Sequence, residues 1–136
     1  MIPVLADLPP GDSVDLELPA GAGSVRTARK SVGDYAAEVG AERFDVELAV
    51  SEAVSNAVVH AYPEGGAGTI RVRARAVGDS LEITVSDDGT GLRPNLNSPG
   101  LGLGIPLIAK LSEAYRLEDG PGGGAMVSMS FSTAPA

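Results

Sequence analysis

Glu52, Asn56 and His60 recur every fourth residue in the stretch Glu52-Ala-Val-Ser-Asn56-Ala-Val-Val-His60. On a helix this spacing stacks three polar side chains along one edge. The neighbouring positions are small or apolar: Ala49, Val50, Ala53, Val54, Ala57 and Val58. The segment therefore reads as an amphipathic helix with a carboxylate and an amide at the rim of its buried face. A carboxylate placed there can take a proton, and an amide oxygen can ligate a hard cation. Taken alone, the pattern also describes an ordinary core helix with a polar edge.

Two further stretches add to it. In Leu81-Glu82-Ile83-Thr84-Val85-Ser86-Asp87 the apolar residues alternate, so Leu81, Ile83 and Val85 point inward. Period two then puts Asp87 on the same inner face and turns Asp88 outward. A carboxylate aimed into an apolar layer needs a donor. A backbone or hydroxyl cap would serve, and so would the exocyclic amine of a purine. Gly89 and Gly91 straddle Thr90 and leave backbone bare enough for a planar ring to lie against. A plain Asp-Gly turn is the competing reading. Downstream, Gly100-x-Gly102-x-Gly104 leads into a helix and offers unhindered amides at a positive helix end, which suits phosphates. It is not the dinucleotide fingerprint, because Ile105 stands where the third glycine would be, nor a Walker A loop, because no Gly-Lys-Ser/Thr follows. A flexible linker is the alternative.

The elements that must carry these residues follow from pattern and punctuation. Residues 1–12 are Pro-rich and read as a loose segment; residues 13–133 read as one domain. Residues 14–18 alternate apolar and acidic and predict a strand. Residues 24–39 predict a helix with Val25, Ala28, Val32, Tyr35, Ala36 and Val39 inward, ended by Gly40. A second helix runs from about 42 to 61. Strands are expected at 69–77 and 80–87 with a tight turn at Gly78-Asp79. A loop follows over 88–103, then a short helix from 104 to 111 with Pro106 in its first turn. The last strands fall at about 114–118 and 124–132. The order β-α-α-β-β-α-β-β points to an α/β two-layer sandwich: a mixed, mostly antiparallel sheet with helices on one face. Arg71, Arg73 and Arg75 share one face of their strand, opposite Ile70, Val72, Ala74 and Ala76. Acids on the next strand, Glu82 and Asp88, are their expected partners. The row could also dock an acidic protein.

Composition narrows the function. Eighteen acidic against ten basic residues give a net charge of −8, which argues against direct nucleic-acid binding and against a polybasic membrane anchor. The chain has no cysteine, hence no disulfide and no thiol chemistry. No leader pattern or apolar run of spanning length is present, so the expectation is a cytoplasmic protein. With 43% hydrophobic but only 4% aromatic residues, the core must be built from Val, Leu, Ile and Ala.

Glu52-x-x-x-Asn56-Ala57, Asp87-x-Gly89-x-Gly91 and Gly100-x-Gly102-x-Gly104 together resemble the N box and glycine boxes of the GHKL ATPases. The segment Val50-Ser51-Glu52-Ala53-Val54-Ser55-Asn56-Ala57-Val58-Val59-His60-Ala61-Tyr62 is similar to the signature of anti-sigma-factor serine kinases of the RsbW/SpoIIAB type. The resemblance covers residues 14–132 and implies the Bergerat ATP-binding fold. It further implies that Asn56 holds Mg²⁺ against the ATP phosphates and that Glu52 is the general base. Asp87 would bind the adenine amine, with Gly89 and Gly91 near the base. Gly102 and Gly104 would face the phosphates, Gly100 would also bind the nucleotide, and residues 92–101 would be a mobile lid. Gly124 falls in the third glycine box, and Arg26 in the position of a first-helix arginine that contacts phosphate or partner. His60 fits the pattern without an assigned chemistry. The implied partners are an anti-anti-sigma protein of the STAS type and a sigma factor; kinases of this type are often homodimers. Three departures stand out. Ala125 replaces the usual Thr of the third glycine box. The lid has no Lys or Arg between Arg93 and Lys110. No phosphoacceptor-histidine helix is present. The expected function is a protein serine/threonine kinase; the alternative is a module that sequesters a partner, with or without nucleotide, and transfers nothing.

Overall fold

The computed structural model describes residues 13–60, 68–89, 108–119 and 124–133. Residues 1–12, Gly91, Gly100, Gly102, Gly104 and the expected lid lie outside them, as does the side chain of His60. The elements are β1 (Ser13–Pro19), α1 (Ala22–Val39), α2 (Arg43–His60), β2 (Thr69–Val77), β3 (Ser80–Asp87), β4 (Ala114–Asp119) and β5 (Ala125–Ser132). Residues 108–111 add a helical turn before β4.

Local chemistry explains the boundaries. α1 stops at Gly40, whose φ of 89° is open to glycine at little cost. The Gly40 amide donates to the Ala37 carbonyl at 3.4 Å and the Ala41 amide to the Ala36 carbonyl at 2.9 Å. These two bonds close the helix end as a Schellman motif. β2 and β3 meet at Gly78-Asp79, with Val77 paired to Ser80 and Gly78 at φ 59°. Only Gly78 of the two turn residues is left-handed, so the turn is not of the type I′ form.

The five strands lie in the order β1-β2-β3-β5-β4, and all four pairings are antiparallel. The expected mixed sheet is corrected in this respect. The crossover after β3 does send β4 in the same direction as β3, but β5 fills the place between them and runs against both.

α1 and α2 cover the sheet face that carries Ile70, Val72, Ala74, Leu81, Ile83, Val85, Met129 and Phe131, all buried. Against them pack Ala28, Val32, Tyr35 and Ala36 of α1 and Val46, Ala49, Val50, Ala53, Val54 and Ala57 of α2. The Tyr35 hydroxyl accepts the Ala76 amide at 3.0 Å, which ties α1 to β2. Between the helices, Gly33 leaves room for the Glu47 side chain; a Cβ at 33 would come within 2.6 Å of its carboxylate. Arg43 then links Asp34 on α1 to Glu47 on α2, the latter at 3.2 Å.

The opposite sheet face is open and polar. The Arg row lies there, but its partner is not the expected one. Arg71 forks onto Asp15 of β1 at 3.1 and 3.0 Å, and Arg73 reaches the same carboxylate at 3.5 Å. Glu82 instead accepts from the Ser80 hydroxyl at 2.6 Å, and Asp88 accepts the Thr69 amide at 3.0 Å. β2 has two neighbours, and the alternation in β2 alone does not say which one supplies the acid.

Candidate functional site

α2 presents its polar edge as the four-residue spacing requires. Its buried side is Val46, Ala49, Val50, Ala53, Val54 and Ala57, and Glu52 and Asn56 sit half-buried at the margin. Neither side chain takes a hydrogen bond or ion pair from another described residue. An amide oxygen and a carboxylate thus stand one turn apart, uncommitted among the described residues. Among the described residues no three His, Cys, Asp or Glu side chains gather to hold a metal by themselves. A cation on Asn56 must take its remaining oxygens from elsewhere, which suits Mg²⁺ bound together with phosphates.

α2 packs over β2, β3 and β5. At the end of β3, Asp87 lies opposite Ile70 on the helix-covered face, following Leu81, Ile83 and Val85. Its Oδ1 accepts two backbone amides, Gly89 at 2.9 Å and Ala125 at 3.4 Å. Its Oδ2 has no partner among the described residues. Burial pushes the Asp87 carboxyl above its ordinary value; the two amides pull the other way, and the neighbouring Asp88 adds to the rise. One carboxylate oxygen is therefore fixed by the backbone, while the other meets no donor among the described residues.

Gly124 explains how β5 comes so close. A Cβ at this position would stand 1.8 Å from the Asp87 carbonyl oxygen and 2.6 Å from Oδ1. Any side chain here would force β5 away from the carboxylate. Gly124, the third-glycine-box position of the resemblance, lies directly against Asp87. Ala125 was expected to matter only as a missing hydroxyl, yet its amide is the second anchor of Asp87. The missed signal is the β3–β5 register: Ser86 pairs with Met126, which brings residues 124 and 125 alongside Asp87.

The structure thus forms two groups, Glu52 with Asn56 on one helix edge, and Asp87, Gly89, Gly124 and Ala125 at one strand end. Arg26 lies apart on the exposed side of α1, with no ion pair to a described residue. No helix among the described residues is long and apolar enough to cross a membrane.

Comparison with known proteins places this geometry in context. Residues 18–131 match the family described as "Histidine kinase-like ATPase domain". The anti-sigma F factor of Caldanaerobacter subterraneus subsp. tengcongensis is 31% identical over 116 residues, covering 75% of this chain and 80% of that protein. The serine-protein kinase RsbW of Bacillus licheniformis is 35% identical over 107 residues, covering 75% and 67%. A solved structure of the RsbU and RsbW domains of a Mycobacterium tuberculosis protein superposes with a TM-score of 0.68 at 27% identity, over 91% of this chain. This chain spans 33% of that longer one.

Proposed function

The chain belongs to the histidine kinase-like ATPase domain family, and from that premise we propose that it is an anti-sigma-factor serine/threonine kinase that binds Mg-ATP. The observation that carries the reading is the divided role of Asp87, with Oδ1 held by two backbone amides and Oδ2 without a partner among the described residues. Oδ2 is an acceptor waiting for one donor, and the exocyclic amine of adenine is such a donor. Gly89 leaves the backbone bare beside it.

The remaining roles follow from side-chain chemistry. Asn56 offers its oxygen to Mg²⁺. When bound, Mg²⁺ supplies charge compensation for the phosphate oxygens. Glu52, one turn earlier, takes the proton of the attacking hydroxyl as the γ-phosphoryl group passes to that oxygen and ADP departs. The hydroxyl belongs to an anti-anti-sigma partner of the STAS type, and the sigma factor is released when that partner is unphosphorylated. The names of the two relatives, an anti-sigma factor and a serine-protein kinase, support this reading. Arg26, exposed and without an ion pair to a described residue, is a contact for one of these partners.

One observation favours a second reading. Ala125 carries a methyl group beside Asp87 where a hydroxyl would strengthen nucleotide binding. The protein would then sequester its partner without transferring phosphate. Labelled ATP and a STAS-type partner separate the two. Transfer that falls by roughly 10²–10⁴ in Glu52→Gln, with ATP binding intact, supports the kinase. Tight partner binding with no transfer by the wild type supports the sequestering module.

A further inference from the structure

Phe44, Leu48, Glu52 and Asn56 stand four residues apart on α2, so the edge that carries the candidate site runs on towards the start of the helix. Each step of four turns this edge by about 40°, and over two steps it swings from the rim at Glu52 to the outer side at Phe44. Phe44 is 66% exposed, the most of any large hydrophobic side chain among the described residues. Leu48 is half-buried and packs outside the core. Val46, Ala49 and Val50, on the other side, hold this part of α2 on the sheet. An exposed helix position is better served by Ala than by Phe, so the helix itself does not call for a ring at 44. Asp45 lies two turns before Glu52 on the same side and has no ion pair to a described residue. It suits the positive end of the helix dipole, and it adds a second carboxylate to the edge. The nearby Arg43 does not offset it, being held by Asp34 and Glu47.

The spacing selects an occupant. In the kinase reading, on which this inference rests, Glu52 takes the proton of the acceptor hydroxyl. At 1.5 Å per residue, Leu48 lies about 6 Å and Phe44 about 12 Å along α2 from Glu52. An extended segment advances about 3.3 Å per residue, and its alternate side chains share a face. With its hydroxyl at Glu52, the side chains two and four residues away come to Leu48 and Phe44. We propose that this edge seats the acceptor-bearing segment of the phosphorylated partner, extended along α2, apolar at those two positions and basic where it passes Asp45. A basic flank is matched by the unpaired carboxylate and an acidic one is repelled. Phe44, Leu48 and Asp45 thus select the sequence around the acceptor, while Glu52, Asn56 and Asp87 serve the hydroxyl and ATP.

Steady-state transfer from labelled ATP to a STAS-type partner tests this. Phe44→Ser should raise KM for the partner about tenfold or more, with kcat at saturating partner and KM for ATP unchanged. Phe44→Leu should restore most of the affinity. Asp45→Lys should raise KM for the partner several-fold at low salt and less at high salt. On the partner, apolar residues within four positions of the phosphorylated serine are replaced by Ser one at a time. One of them should reproduce the Phe44→Ser loss and cost little more when combined with it. Circular dichroism checks that each variant is folded; should Phe44→Ser fail, Leu48→Ala must show the same rise in KM. A wild type that transfers phosphate to no STAS-type partner removes the kinase reading and this inference with it. Transfer by the wild type that the variants match, a loss in kcat instead of KM, or a loss that no residue near the serine shares would overturn the inference alone.

Discussion

Asp15 and Asp87 are carboxylates of one sheet on opposite faces, and their surroundings differ in kind. Asp15, on the open face, meets Arg71 and Arg73. The Arg71 hydrogen bonds hold its carboxyl below the ordinary value. Asp87, on the helix-covered face, meets no cation among the described residues, and burial pushes its carboxyl up. The first is matched within the fold and has little left to offer a ligand. The second is held by one oxygen and, among the described residues, left open at the other, an arrangement that costs stability and provides a binding group.

Substitutions can break this contrast, beginning with the largest effect. Gly124→Ala should drive β5 off Asp87, at a cost of about 2–3 kcal/mol in stability and with loss of ATP binding. Calorimetry and thermal melting of that variant test it, and an unchanged melt would show that the strands part easily.

Asp87→Asn separates binding from folding. The two backbone amides still demand an oxygen, so the new amide nitrogen must face the visitor. A donor then meets the adenine amine, and ATP should bind roughly 100-fold more weakly. Stability should not fall at neutral pH. A carboxyl raised in the fold favours the folded state fully below its unfolded value of 3.8, and that contribution is lost as pH rises through the folded value. Wild type should therefore lose stability relative to the Asn variant across that interval in acid-to-neutral melts. ATP binding by the wild type should fade on acidification at a higher pH than an ordinary aspartate would give.

Asp15→Asn should do much less. The pair is exposed, and its loss should cost under about 1 kcal/mol, shrinking further in salt. The sign is opposite to that of Asp87. The Asp15 contribution is present above its unfolded value of 3.8 and is lost as pH falls through the lower folded value. ATP binding should be unaffected. The smallest effect is expected of Ala125→Thr. It returns a hydroxyl beside Asp87 while keeping the backbone amide, and ATP affinity should rise by roughly a few-fold. A fall instead would mean that the methyl group is needed for packing.

Much of the covered face could be read along the chain. β2 and β3 begin and end where their alternation does, and the same alternation placed Asp87 inward. The four-residue spacing placed Glu52 and Asn56 at the rim of α2. Contacts between strands distant in sequence were harder to read. Arg71 was expected to pair with an acid of the following strand and pairs with β1 instead, because alternation assigns a face and not a neighbour.

By itself, then, the sequence determined the elements, their buried faces and the residue types offered to a ligand, because periodicities of 2 and 3.6 are local properties of the backbone. Only the tertiary structure decided what became of them. β5 enters between β3 and β4, and the bare backbone of Gly124 lets it close against Asp87. The Ala125 amide then joins that of Gly89 in fixing one carboxylate oxygen, and no described residue takes the other. Strand order and close approach depend on how the whole sheet packs beneath its helices, and no window of residues around Asp87 contains them.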